Sequence, residues 1–233
     1  ASAEQRASEM ALAAPTLPPL RAGAAQRQQK TFASGWTSKD GTLEQALKGC
    51  ARCAIGCAAT QAVPGEGPLD SRVMMVGEQP GDQEDLEGRP FVGPAGQLFD
   101  AAAKEAGLDR AACYVTNAVK HFKYRVERKR RIHERADRSE IMACIWWLDA
   151  EIARTQPALT VAMGAVAAEA LTGAGKDVLR RCGTIEEVEN RPPILITVHP
   201  SYVLRARGMA AQRDARQMLI RDLRCAAGYL VDA

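Results

Sequence analysis

Four groups of residues have the types and spacing to do chemistry. Cys50-Ala51-Arg52-Cys53 is a Cys-x-x-Cys pair, a spacing shared by redox dithiols, half zinc sites and half iron–sulfur sites. Gly77-Glu78-Gln79-Pro80-Gly81-Asp82 offers two carboxylates and an amide in a turn tight enough for backbone to approach a ligand. From Lys120 to Arg138, nine Lys or Arg face three acids (Glu127, Glu134, Asp137), and His133 lies among them. A neutral imidazole there is a competent nucleophile. His199-Pro200-Ser201 brings a further imidazole near the end of the chain.

Each group has a plainer reading. Asp82 to Glu87 could be an acidic surface turn, with Phe91 packed in the core rather than held as a stacking platform in Gly88-Arg89-Pro90-Phe91-Val92-Gly93. Asn117 could merely cap a loop after a strand, and His199 could merely precede a proline turn. A charge run is ordinarily a solvated face. Here Phe122, Tyr124, Val126 and Ile132 interleave with cations whose local excess is +6 in a chain of total +3, a pattern suited to a phosphate backbone. A lone histidine in such a stretch is by default a surface residue.

The elements that must position these groups follow from periodicity. Arg72–Val76, Cys113–Thr116, Leu159–Met163 and Ile194–Val198 read as short buried strands. Helices are expected from Leu43, over Pro94–Ala106 with proline in the first turn, over Ser139–Thr155 with Ser139 as cap, over Ala165–Leu171 and near Ala210–Leu230. Strands alternating with helices imply a three-layer α/β/α domain around a central four-stranded, mainly parallel sheet. In such folds ligands bind at the carboxyl ends of strands, which is where the loops after Val76, Thr116 and Val198 lie. Residues 1–40, rich in Ala, Gln, Arg, Ser and Pro, are expected to be a flexible lead-in to a single domain over 41–233.

Composition limits the alternatives. Of 233 residues, 46% are hydrophobic and 25% charged, as in a globular domain, and no apolar run is long enough to span a bilayer. Seven cysteines with no export signal argue against a disulfide framework and for thiols or metal ligands in a reducing cytoplasm.

The blocks Val73 to Gly96, Tyr114-Val115-Thr116-Asn117-Ala118-Val119-Lys120-His121-Phe122-Lys123 and His199-Pro200-Ser201 resemble the uracil-DNA glycosylase superfamily. They lie nearest its cluster-bearing family 4. Gln79 after Gly77-Glu78, and Lys129-Arg130-Arg131-Ile132-His133, resemble the subgroup called UdgX, across roughly residues 43 to 228. The resemblance implies excision of uracil from DNA, with the flipped base taken into a pocket. It implies Phe91 as stacking residue and Asn117 as reader of the uracil edge, beside Gly77, Gln79 and Asp82. It implies His199 as partner of uracil O2, and His133, assisted by Glu78, as the nucleophile that bonds C1′ and ends turnover. Lys129, Arg130, Arg131, Ser201, Leu204 and Arg205 would face DNA, Leu204 or Tyr202 as an apolar wedge and Arg131 also holding its loop. Cys50, Cys53, His121 and Cys144 would hold a 4Fe–4S cluster, with His121 where family 4 carries cysteine and Cys57 as bystander or substitute. The expected partner is uracil-containing DNA, single-stranded DNA included, met by a monomer away from any membrane. Conventional multiple turnover and non-catalytic uracil-DNA binding are the alternatives.

Overall fold

The computed structural model describes residues 42–231, so the expected lead-in over 1–40 lies outside the described residues. Among the described residues, no helix is long and apolar enough to cross a membrane.

Thr42 opens the first helix, α1 (Leu43–Lys48), through a capping box with Gln45. Leu43 and Leu47, four residues apart, turn to the core. After α2 (Ala54–Ala58) come β1 (Val73–Gly77), α3 (Asp82–Glu87), α4 (Pro94–Ala106) and β2 (Tyr114–Asn117). The hairpin β3 (Tyr124–Glu127) and β4 (Arg130–His133) leads into α5 (Arg138–Thr155). The chain ends with β5 (Leu159–Met163), α6 (Ala165–Thr172), α7 (Val178–Arg181), β6 (Ile185–Glu186), β7 (Ile194–Thr197), α8 (Pro200–Arg205) and α9 (Met209–Val231).

The sheet runs β2-β1-β5-β7-β6, parallel except at the last pairing. Four parallel strands agree with the sequence. The antiparallel edge strand β6 makes the total five rather than four, and its two residues are too short to carry a periodic signal. Alternation along the strands divides the core. Met74 and Val76 of β1 join Ile141, Leu148 and Leu171 on one face. Val73 and Met75 join Phe99, Leu219 and Leu223 of α4 and α9 on the other. Three layers result, with helices on both faces of the sheet.

Other boundaries shift by a residue or two. Asp137, not Ser139, caps α5, its carboxylate accepting from Glu140 N–H at 3.0 Å and from the Ser139 hydroxyl at 2.6 Å. An ionised carboxylate is the stronger acceptor and stands two residues earlier. The acidic segment Asp82–Glu87 is a helix rather than a turn, and the basic stretch contains a two-stranded hairpin.

Candidate active site

The carboxyl ends of β1, β2 and β7 meet at one edge of the domain. Register places Gly77 beside Asn117. The amides of Ala118 and Val119 donate to the carbonyls of Gly77 and Glu78 at 3.0 Å each, locking the two loops together. A Cβ on Gly77 would lie 2.4 Å from Asn117 Oδ1 and 2.5 Å from Phe91 Cζ, so only glycine lets amide and aromatic ring converge there. Phe91 is buried, 4% exposed, and its ring centroid lies 5.5 Å from Phe99 and 6.0 Å from His199. Its φ of 56° is in the left-handed region, an arrangement that costs about 1 kcal/mol or more for a non-glycine residue. The loop is held there from outside. The Glu84 carboxylate accepts from Gly81 N–H at 3.0 Å and Gly93 N–H at 2.8 Å, and Arg110 donates to the Pro90 carbonyl at 3.2 Å. Phe91 is thus packed in the core, as its plainer reading has it, with one side of the ring toward His199.

His199 caps α8 with its side chain. Its Nδ1 accepts from Ser201 N–H at 3.1 Å, with the Ser201 hydroxyl at 2.7 Å, so the ring proton is placed on Nε2. Desolvation, with help from Arg205 and His133, pushes its pKa down to about 3. A neutral imidazole presenting one N–H is suited to an oxygen that becomes negative during reaction. Leu204 and Tyr202 stand exposed on the same short helix, beside Arg205.

His133 is the last residue of the hairpin. Its Nε2 stands 3.7 Å from Glu78 Oε1, beyond hydrogen-bond length but within ionic reach. Glu78 Oε1 is buried with no partner of its own, an acceptor costly to leave empty. The hairpin is anchored twice. Gln79 Nε2 donates to the carbonyls of Lys123 at 3.1 Å and Glu134 at 3.0 Å, bridging the two strands at their base. Arg131 pairs with Asp82 at 2.6 Å and with fully buried Asp85, donates to Thr60 at 3.0 Å, and lies over Tyr124 and Phe122 at 5.1 and 5.5 Å. Its guanidinium is therefore committed to holding the loop, as are Asp82 and the Gln79 amide nitrogen. Lys129 and Arg130 remain exposed at the hairpin tip. There Arg128 and Lys129, with φ of 45° and 64°, form the two-residue turn between paired Glu127 and Arg130.

Cys50, Cys53 and Cys144 lie near enough to influence one another's charge, and Cys50 and His121 both border Gly56. Burial is the main cause lifting the Cys144 thiol to about 11, with Cys53 and Cys50 also raising it and Lys120 opposing them. Lys120 N–H donates to Cys144 Sγ and Trp147 Nε1 to Cys50 Sγ, both at 3.2 Å. The position of a Cβ on Gly56 is 2.8 Å from the Cys50 carbonyl and 3.4 Å from His121 Cε1. Burial lowers the His121 pKa, favouring the neutral form that ligates metals. No group of three or more His, Cys, Asp or Glu among the described residues is drawn in closely enough to hold a single metal ion. The donor set fits a larger sulfur-ligated group: three thiols near one another, two of them with N–H donors already aimed at sulfur, and one neutral imidazole. Cys57 is exposed on α2.

Sequence reasoning missed Glu84, Asp85 and Glu151. All three are buried acids; the partners of Asp85 and Glu151 lie far along the chain and those of Glu84 in the flanking loops, and helical periodicity gives no sign of either.

The model of the uracil DNA glycosylase superfamily matches residues 64–224. A type-4 uracil-DNA glycosylase of Thermotoga maritima is 33% identical over 196 residues, 81% of this chain and 93% of that one. The type-4 enzyme of Pyrobaculum aerophilum is 38% identical over 172 residues, 70% and 83% of the two chains. That of Sulfurisphaera tokodaii is 40% identical over 123 residues, about half of each. With the family model covering residues 64–224 and a relative 33% identical over 81% of the chain, the chain belongs to the uracil-DNA glycosylase superfamily.

Proposed function

We propose that the protein excises uracil from DNA and then bonds the exposed sugar carbon through His133. The flipped base would stack on Phe91 while Asn117 reads its edge, donating to O4 and accepting from N3. As the C1′–N1 bond breaks, the electron pair leaves with uracil, and the Nε2–H of His199 stabilises the charge at O2. The oxocarbenium-like C1′ then takes the lone pair of an imidazole nitrogen of His133. The ring gives its proton to Glu78, and the uracil anion takes one from solvent. No better leaving group than the new C–N bond remains, so turnover stops after one event. Lys129, Arg130, Arg205, Ser201 and Leu204 are the residues proposed to meet DNA.

A 4Fe–4S cluster held by Cys50, Cys53, His121 and Cys144 would act as a cross-link between the segment before β1, the Asn117 loop and α5. No step of the reaction runs through it. The surroundings of the four donors support this reading.

The observation that carries the capture reading is the placement of His133, doubly anchored on its hairpin and 3.7 Å from Glu78 Oε1, a buried oxygen with no hydrogen-bond partner. The type-4 names of the relatives favour a second reading, in which product is released and turnover is multiple. One experiment separates them. The protein is mixed with a uracil-containing oligonucleotide, boiled in detergent and run on a denaturing gel. Capture gives a shifted band of protein plus DNA lacking the base; multiple turnover gives abasic DNA in excess of enzyme and no band.

A further inference from the structure

Lys120 belongs to the block that carries Asn117, yet excision and capture leave it without a role. It is fully buried, and so is its partner Glu151 on α5. The Lys120 ammonium donates at 2.6 Å to Glu151 Oε2, at 2.6 Å to Thr116 Oγ1 and at 2.7 Å to the backbone carbonyl of Asn117. The Thr116 hydroxyl in turn donates to Glu151 Oε2 at 2.8 Å, and Gly65 N–H donates to Glu151 Oε1 at 2.9 Å. Every donor of the ammonium is used.

Such a pair is a weak source of stability, because desolvating both charges offsets their attraction, and apolar residues of similar volume commonly do as well. What apolar residues cannot do is donate to a carbonyl. Strand β2 is an edge of the sheet, paired on its outer side only by Glu66, at Val115, two residues short of Asn117. Asn117 is its last residue, and the ammonium supplies the donor there. The adjacent side chain is the one pressed against Gly77 and Phe91, where a small rotation of the peptide would misplace the amide.

We propose that the buried Lys120–Glu151 pair is a positioning device for Asn117, fixing its peptide so that the side-chain amide meets the base in register. The inference rests on the excision reading above. It assigns Lys120 and Glu151 no contact with substrate; they act through Thr116 and Asn117.

The test is a double variant, Lys120→Met with Glu151→Met, which removes both charges together and so leaves neither buried alone. Its melting temperature should fall modestly, for the Gly65 N–H and Thr116 hydroxyl left without Glu151, while single-turnover uracil release slows roughly ten- to a hundredfold, as for misplaced reacting groups generally. In an Asn117→Ala background the same two changes should cost nothing further. Thr116→Val, which keeps both charges and removes the hydroxyl that bridges them, should slow release less and again only when Asn117 is present. That variant decides the matter if the double variant fails to fold. Release at the wild-type rate in these variants, or equal slowing with and without Asn117, overturns the proposal while leaving excision intact. A wild-type protein that leaves uracil in place overturns the excision reading and this inference with it.

Discussion

The His199 imidazole is neutral across the working pH range, and acid should act on it in two separable ways. With its pKa depressed to about 3, excision should not fall through protonation of this ring between pH 8 and pH 5. Stability behaves differently. The unfolded ring titrates near its ordinary value of about 6.5, so below that pH the unfolded chain binds a proton that the folded one refuses. The folded state therefore loses up to about 2 kcal/mol by pH 5 from this group, and none above pH 7. Melting curves from pH 7 to 5 should show the decline, and His199→Gln should flatten it; an unchanged slope in that variant rejects the assignment. For His133 the expectation is chemical: His133→Ala should still release uracil but leave no detergent-stable adduct. Persistence of the shifted band would exclude this residue as nucleophile.

At the scale of elements, the hairpin β3–β4 depends on Arg131 more than on its own pairing, since an isolated two-stranded ribbon is marginal. Arg131→Ala should retain excision while lowering the fraction of events that end in adduct by several-fold, and Arg131→Lys should recover only part. Loss of both activities in equal measure would contradict a loop-holding role. The turn at Arg128 and Lys129 is a second test. Two cations occupy left-handed positions that Asn-Gly fills without strain. Arg128→Asn with Lys129→Gly should raise the melting temperature and weaken DNA binding, with a shallower dependence on salt.

How far sequence reaches is clearest at this scale. Pro94–Ala106 and Leu159–Met163 were read to the residue because their apolar period is uninterrupted and their ends are marked by proline or glycine. The hairpin was not, because Val126 and Ile132 alternate with cations whose aliphatic stems replace an apolar face. Glu84, Asp85 and Glu151 resemble solvated acids in sequence, and only the folded chain brings Gly93, Arg131 and Lys120 to them. Glu78 and His199 stand out because each follows a predicted strand, and His133 because it lies in a basic run; their supports do not, because they come from elsewhere in the chain.

Over the whole molecule, the sheet collects Glu78, Asn117 and His199 from three strand ends. If Cys50, Cys53, His121 and Cys144 hold an iron–sulfur cluster, the protein should be brown, with a broad visible absorption lost on acid treatment. Cys144→Ala should lose that absorption and melt lower. A colourless preparation carrying one zinc would overturn the ligand assignment.

Helix α3 has only six residues, yet two consecutive buried acids leave it in different directions. Glu84 reaches the loop that carries Phe91, and Asp85 reaches the arginine that secures the His133 hairpin. Displacing this one segment would carry the Phe91 ring and the His133 imidazole along together. If capture proceeds as proposed, the spacing between the departing base and the attacking nitrogen is set locally, by less than two helical turns of chain.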